Sequence, residues 1–266
     1  MTSRLTIAVV AAALALPAAA ESFDCVMDPA VIVSVGSPVS GLIDSVDISR
    51  GQRVRREQII ATLDADMEDA AIELYVLQAE SAQEIALYQV RLDLATSHRE
   101  RVAKLVERGV ATAEQMDEAR ASFDVAQQEL ELAQLRQRVL GLELARARTA
   151  REQRVIRSPI DGIVVERTMF RGEFVDPDSH VAIIAQLDPL HVEAFLPVEL
   201  YPEVRTGMTA TVRPNAPIGG TYEAEVVVVD QVFDPASATF GVRLSLANPD
   251  AVLPAGHRCE VDFGAP

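Results

Sequence analysis

One short pattern occurs twice in this chain of 266 residues, and a long stretch without proline separates the copies. The first copy reads Ser37-Pro38-Val39-Ser40-Gly41-Leu42-Ile43, then Arg50-Gly51-Gln52-Arg53-Val54, then Leu63-Asp64. The second reads Ser158-Pro159-Ile160-Asp161-Gly162-Ile163-Val164, then Arg171-Gly172-Glu173-Phe174-Val175, then Leu187-Asp188. The step from Gly41 to Gly51 equals the step from Gly162 to Gly172. An internal repeat limits the fold more than any composition does. Each copy predicts two or three short strands around an Arg-Gly turn, where glycine takes a positive φ without steric cost. Neither copy can bury a core alone, but two packed face to face make one small β-sandwich. The chain between them must leave and re-enter that sandwich at one place, so it must be a hairpin.

Residues 66–153 have the composition for it, rich in Ala, Leu, Glu, Gln and Arg, the strong helix formers. A seam of alternating three and four steps runs through Met116, Ala119, Phe123, Ala126, Leu130, Ala133, Gln137, Leu140, Leu144 and Ala147, with Gln137 its one polar member. A weaker seam runs through Ala71, Leu74, Gln78, Ser81, Ile85, Tyr88, Leu92, Ala95, Arg99 and Val102. A period of about 3.5 residues over several heptads predicts a coiled coil. Gly109 suits the residue just past a helix C-terminus, and Thr112 followed by Gln115 reads as a capping box. Two helices of roughly 40 residues give a hairpin of about 60 Å. That length predicts a spacer with a working tip; a plain structural coiled coil is the blander alternative.

The first 20 residues read as a secretory signal: Arg4, an apolar run over 5–16, and Ala18-Ala19-Ala20 as a small-residue cleavage site. An uncleaved anchor is the alternative reading. The net charge of −16 and pI near 4.7 leave no electrostatic footprint for nucleic acid. Lys104 is the only lysine. Sandwiches that carry biotin or lipoate need a lysine at the tip turn, so no swinging cofactor is expected here. Cys25 and Cys259, near the two ends of the chain, predict a disulfide in an exported protein, with two buried free thiols as the alternative.

From residue 189 onward the pattern changes to period two, as in Phe240, Val242, Leu244 and Leu246, with Pro and Gly turns between segments. This predicts a small antiparallel barrel or sandwich. Residues 21–34 are expected to add a strand to it. The four histidines show no metal-ligand spacing, the six methionines no cluster, and no phosphate loop or nucleophile elbow occurs. No catalytic, cofactor or metal residue is expected, and the chain reads as a non-enzyme.

The organisation resembles the periplasmic adaptor subunits, or membrane fusion proteins, of tripartite efflux pumps and HlyD-like secretion systems. The resemblance rests on the two repeat copies, on Ile156-Arg157 before the second, and on Asp188-Pro189-Leu190, Thr206-Gly207-Met208 and Leu253-Pro254-Ala255-Gly256. It implies an α+β fold. A long antiparallel α-helical coiled-coil hairpin (66–153) is inserted in a split lipoyl-like sandwich (35–65 and 154–188), followed by a small β-barrel (189–266). It implies a three-part adaptor without a fourth, membrane-proximal domain. By the same resemblance, Arg101, Leu105 and Thr112 match tip residues that dock on a TolC-type outer-membrane channel, with Thr in place of the usual Ser. The implied partners are an RND or ABC transporter of the inner membrane, that channel, and further copies of the chain in a ring. The implied place is the periplasm, at the inner membrane. Two rival readings stay open: an extracytoplasmic coiled-coil interaction protein without a pump, and a chaperone for a small molecule or metal.

Overall fold

A computed structural model describes residues 22–264. The expected signal segment, 1–20, lies outside the described residues. The chain divides into two units, one of Ser34–Ile184 and one of residues up to Val33 with those from Ala185 onward. The division falls within strands β1 (Ser22–Gly36) and β8 (His180–Pro197).

In the first unit the two repeat copies pair with each other. The first copy supplies β2 (Gly41–Val46), β3 (Arg53–Val54) and β4 (Ile59–Leu63); the second supplies β5 (Val155–Arg157), β6 (Gly162–Arg167) and β7 (Phe174–Val175). Arg53 and Val54 lie opposite Ile163 and Gly162, and Phe174 and Val175 lie opposite Leu42 and Gly41. These are one pairing seen twice, related by the constant step that takes Arg50 to Arg171. Burial follows the same step: Ile43 and Val164, Val54 and Val175, Ile60 and Val181, Leu63 and Ile184 are all buried. The equivalent of Leu63 is therefore Ile184 and not Leu187, which belongs to the other unit. The Ser-Pro openings have a local cause. Ser37 Oγ donates to the Val39 carbonyl at 2.5 Å, and Ser158 Oγ to that of Ile160 at 2.7 Å, closing a turn before each strand.

Three helices leave the sandwich and return: α1 (Asp66–Glu80), α2 (Gln83–Glu107) and α3 (Ala113–Glu152). The rising arm is thus two helices where the sequence predicts one, with Ser81 in an extended conformation at the joint. Every predicted seam residue of α3 is buried or half-buried, as are those of α2 from Ile85 to Val102. In α1 the register differs. Ala71 is half-buried as predicted, but Leu74, Gln78 and the capping Ser81 are exposed, and Ile72, Tyr75 and Ala79 are half-buried instead. The joint resets the phase between the arms. Gln137, the polar seam residue, donates its side-chain amide to the Ala79 carbonyl just before the joint. It thereby satisfies one of the carbonyls that a helix end leaves without a partner. Arg99, the charged seam residue of α2, stacks its guanidinium 3.7 Å from the Phe123 ring centroid. Arg136–Glu84 at 2.7 Å and Arg91–Glu129 at 3.5 Å hold α3 against α2.

The second unit is a ring of six strands in the order β1, β12 (His257–Asp262), β9 (Thr209–Pro214), β10 (Tyr222–Val229), β11 (Thr239–Leu246) and β8, closed by pairing of β1 with β8. Period two fills it: Phe240, Val242, Leu244 and Leu246 all point inward and are buried. The valine run of β10 cannot alternate, and a register shift between Val226 and Val228 leaves Val227 and Val228 outside. Asn248 is buried, and its amide donates to the carbonyls of Leu187 and Leu253 at 2.9 Å while its oxygen accepts from Leu253 N–H at 2.9 Å. Cys25 and Cys259 are opposed in the β1–β12 ladder with Cα atoms 4.8 Å apart, and their sulfurs are bonded.

Candidate functional site

The hairpin turn is built by two caps of known chemistry. Helix α2 ends at Glu107, and Gly109 takes φ +71°. Its N–H donates to the Val106 carbonyl and that of Val110 to the Leu105 carbonyl, both at 2.9 Å. This is a Schellman motif, which only a residue free to adopt positive φ completes well. Helix α3 opens on a reciprocal capping box. Thr112 Oγ1 accepts from Gln115 N–H at 3.2 Å, and Gln115 Oε1 accepts from Thr112 N–H at 2.9 Å.

This turn brings Arg101, Leu105 and Thr112 to one end of the helix pair. Arg101 and Leu105 stand four residues apart, on one face of α2. Arg101 is exposed and has no ion-pair partner among the described residues. Leu105 is 40% exposed, and Val110 at the apex 72%. Val110 completes an apolar patch that the sequence reading missed. Its signal was an apolar residue directly after the capping glycine, where a free turn would carry a polar one. Such a patch beside Arg101, Lys104 and Arg108, none of which has an ion-pair partner among the described residues, can receive an apolar side chain and acidic or carbonyl oxygens.

The hairpin has a second exposed feature. Leu87, Val90 and Leu94 on α2, and Val125, Leu132, Leu135, Val139 and Leu142 on α3, are all exposed large apolar residues. Each helix carries them two positions beyond its seam residues, about 200° around the helix. They therefore face away from the partner helix within the hairpin. At the base, Arg154 donates to Glu68 at 2.7 Å and to the Ser40 carbonyl at 3.2 Å, and Arg151 to Asp69 at 2.8 Å. Arg154 thereby ties α1 to the sandwich, and Arg151 ties α3 to α1.

Among the described residues, no helix is long and apolar enough to cross a membrane, and no group of His, Cys, Asp and Glu is arranged to hold a metal. One carboxyl, Asp234, is held below its usual pKa, first by the Ala236 N–H and then by the Ser237 hydroxyl, in an exposed turn.

The family model for a CzcB-like barrel-sandwich hybrid domain matches residues 31–186, and that for a CusB-like β-barrel domain matches 189–266. The fold is similar to that of MacA from Actinobacillus actinomycetemcomitans, with a TM-score of 0.73 at 21% identity over 92% of this chain and 78% of that one. It is also similar to the membrane fusion protein Spr0693 of Streptococcus pneumoniae R6, with a TM-score of 0.59 at 12% identity over 92% of this chain and 99% of that one. A putative efflux transporter from Bacteroides eggerthii DSM 20697 gives a TM-score of 0.53 at 17% identity, over 92% and 70%. With more than half its length matched by the first of these models, the chain belongs to the CzcB-like barrel-sandwich hybrid family, with a CusB-like β-barrel domain following it.

Proposed function

We propose that this protein is a non-catalytic periplasmic adaptor that joins an inner-membrane transporter, of the RND or ABC type, to a TolC-type outer-membrane channel. The observation that carries this reading is the hairpin tip. An exposed apolar pair, Leu105 and Val110, sits beside Arg101, which is unpaired among the described residues, at the far end of a helix pair anchored to the sandwich by Arg154. Residues 66–153 would act as a coiled-coil spacer that places this tip away from the sandwich. Arg101 would donate to carboxylate or backbone oxygens of the channel, Leu105 would be a desolvated anchor, and Thr112 would cap α3 while presenting its hydroxyl. The outward stripes of α2 and α3 support side-by-side association of copies into a ring, since contiguous apolar faces on a soluble protein mark contact sites. The mature chain is proposed to begin after the signal segment and to stay at the inner membrane through its transporter.

The test is recovery of the chemically crosslinked chain from membranes. A transporter and an outer-membrane channel recovered together support the adaptor. Recovery of copies of the chain alone supports the rival, an extracytoplasmic interaction protein without a pump.

A further inference from the structure

The two repeat copies are alike in fold and opposite in charge. The turn around β3, residues 50–57, reads Arg-Gly-Gln-Arg-Val-Arg-Arg-Glu, with four arginines and one acid. Its equivalent around β7, residues 171–178, reads Arg-Gly-Glu-Phe-Val-Asp-Pro-Asp, with one arginine and three acids. Both turns are exposed except at their buried valines, Val54 and Val175. β3 and β7 are terminal strands of their sheet orders, and the matched pairings of the two copies make the turns structural equivalents.

Arg50, Arg55 and Arg56 make no ion pair among the described residues. Asp161 accepts the Arg56 backbone N–H at 3.0 Å, which leaves the guanidinium unpaired. In the other turn Arg171 is bound to Asp44 at 3.2 Å. The position equivalent to Asp44 is Val165, so Arg50 lacks the same partner. Glu173 accepts the Phe170 N–H and Asp176 the Asp178 N–H, contacts that orient both carboxylates. The result is a sandwich with a positive pole and a negative pole, in a chain whose net charge is −16.

We propose that the occupant of each pole is the opposite pole of a second copy. The Arg50, Arg55 and Arg56 turn of one sandwich receives the Glu173, Asp176 and Asp178 turn of the next. This rests on the ring association proposed above and names the contact that orders it. A contact between unlike patches is head-to-tail, and head-to-tail contacts close into rings when the rotation allows. Two like poles meeting would repel, which excludes the face-to-face dimer and fixes direction.

The test is disulfide crosslinking of the full chain in the periplasm. A chain carrying both Arg55→Cys and Asp176→Cys should give a ladder of dimers, trimers and higher species under oxidation. Either single substitution alone should give none, and the two singles expressed together should give a dimer and no ladder. A dimer from one single variant, or no adduct from the double variant, overturns the proposal. Charge reversal provides a check that needs no added thiol. Arg55→Glu with Arg56→Glu should weaken self-association about tenfold or more, as for close interfacial charge pairs. Adding Asp176→Arg and Asp178→Arg to the same chain should restore it; failure to restore overturns the proposal. The ladder reports copies and the membrane recovery reports transporter and channel, so the two readings fail separately.

Discussion

Gly51 donates its backbone N–H to the carbonyl of Val164 at 2.8 Å, and the repeat returns the bond, with Gly172 donating to Ile43 at 2.8 Å. The amides of Val164 and Ile43 answer by donating to Gln52 and Glu173, both at 2.9 Å. Each copy closes the other's turn. Gly51 and Gly172 take φ of +83° and +86°, and a Cβ on either would meet nothing within 4 Å. The cost of alanine there is therefore backbone strain alone, about 1–2 kcal/mol. Gly51→Ala and Gly172→Ala should lower stability by equal amounts in urea unfolding. A difference of several-fold between them would show that the two turns are not equivalent.

Asn248 satisfies three backbone groups in the barrel interior at once. Removing its amide leaves the carbonyls of Leu187 and Leu253 and the Leu253 N–H without partners. Each such buried group costs about 1–3 kcal/mol. Asn248→Ala should destabilise the barrel by roughly 3 kcal/mol or more, and Asn248→Asp, which keeps the acceptor, should still lose most of it. Calorimetric melting of both variants measures this.

Cys25 and Cys259 are separated by 234 residues in sequence. Closing so long a loop is worth up to about 4–5 kcal/mol on the chain-entropy account, and often less in practice. The unfolded, unreduced protein should show no thiol reactive to a labelling reagent. The double serine variant should unfold at lower denaturant concentration with β1 the first segment to exchange its amides.

The sandwich was legible because a repeat fixes spacing twice, and α3 because its heptad pattern runs unbroken from Met116 to Ala147. The joint at Ser81 and Ala82 was not. Neither residue is Gly or Pro, so nothing local announced a break, and the seam of α1 was read in the wrong phase. The reason for Gln137 was equally hidden, since its partner is a carbonyl 58 residues away. The equivalence of Leu63 with Ile184 was missed for a simpler reason. A second Leu-Asp pair stood three residues downstream at Leu187, and identity of letters outweighed spacing. At the tip, the caps at Gly109 and Thr112 could be read from residue type alone. The exposure of Val110 needed the turn geometry.

Gln137 should matter where the arms change phase. Gln137→Leu keeps the seam apolar and leaves the Ala79 carbonyl without its donor. Hydrogen exchange over residues 79–83 should rise while exchange over the α2–α3 pairing stays unchanged. The expected loss is about 1 kcal/mol, that of one hydrogen bond. Uniform exchange along the hairpin would contradict this role.

Thr112 and Arg101 should separate cap from contact. Thr112→Ala removes a cap worth on the order of 1 kcal/mol and should fray the start of α3. Arg101→Glu breaks no ion pair among the described residues and should shift the melting midpoint little, since exposed substitutions usually stay within about 0.5 kcal/mol. Circular dichroism on heating separates the two.

The adaptor account is tested most directly at the tip. A photo-crosslinking residue placed at Leu105, in cells that make the full chain, should form an adduct with an outer-membrane channel. The same residue at Met67, at the base of the hairpin, should form none. Arg101→Glu in the same cells should abolish the Leu105 adduct and efflux together. A Leu105 adduct and efflux that both persist at wild-type levels in Arg101→Glu, or a channel adduct from Met67 and not from Leu105, would contradict it.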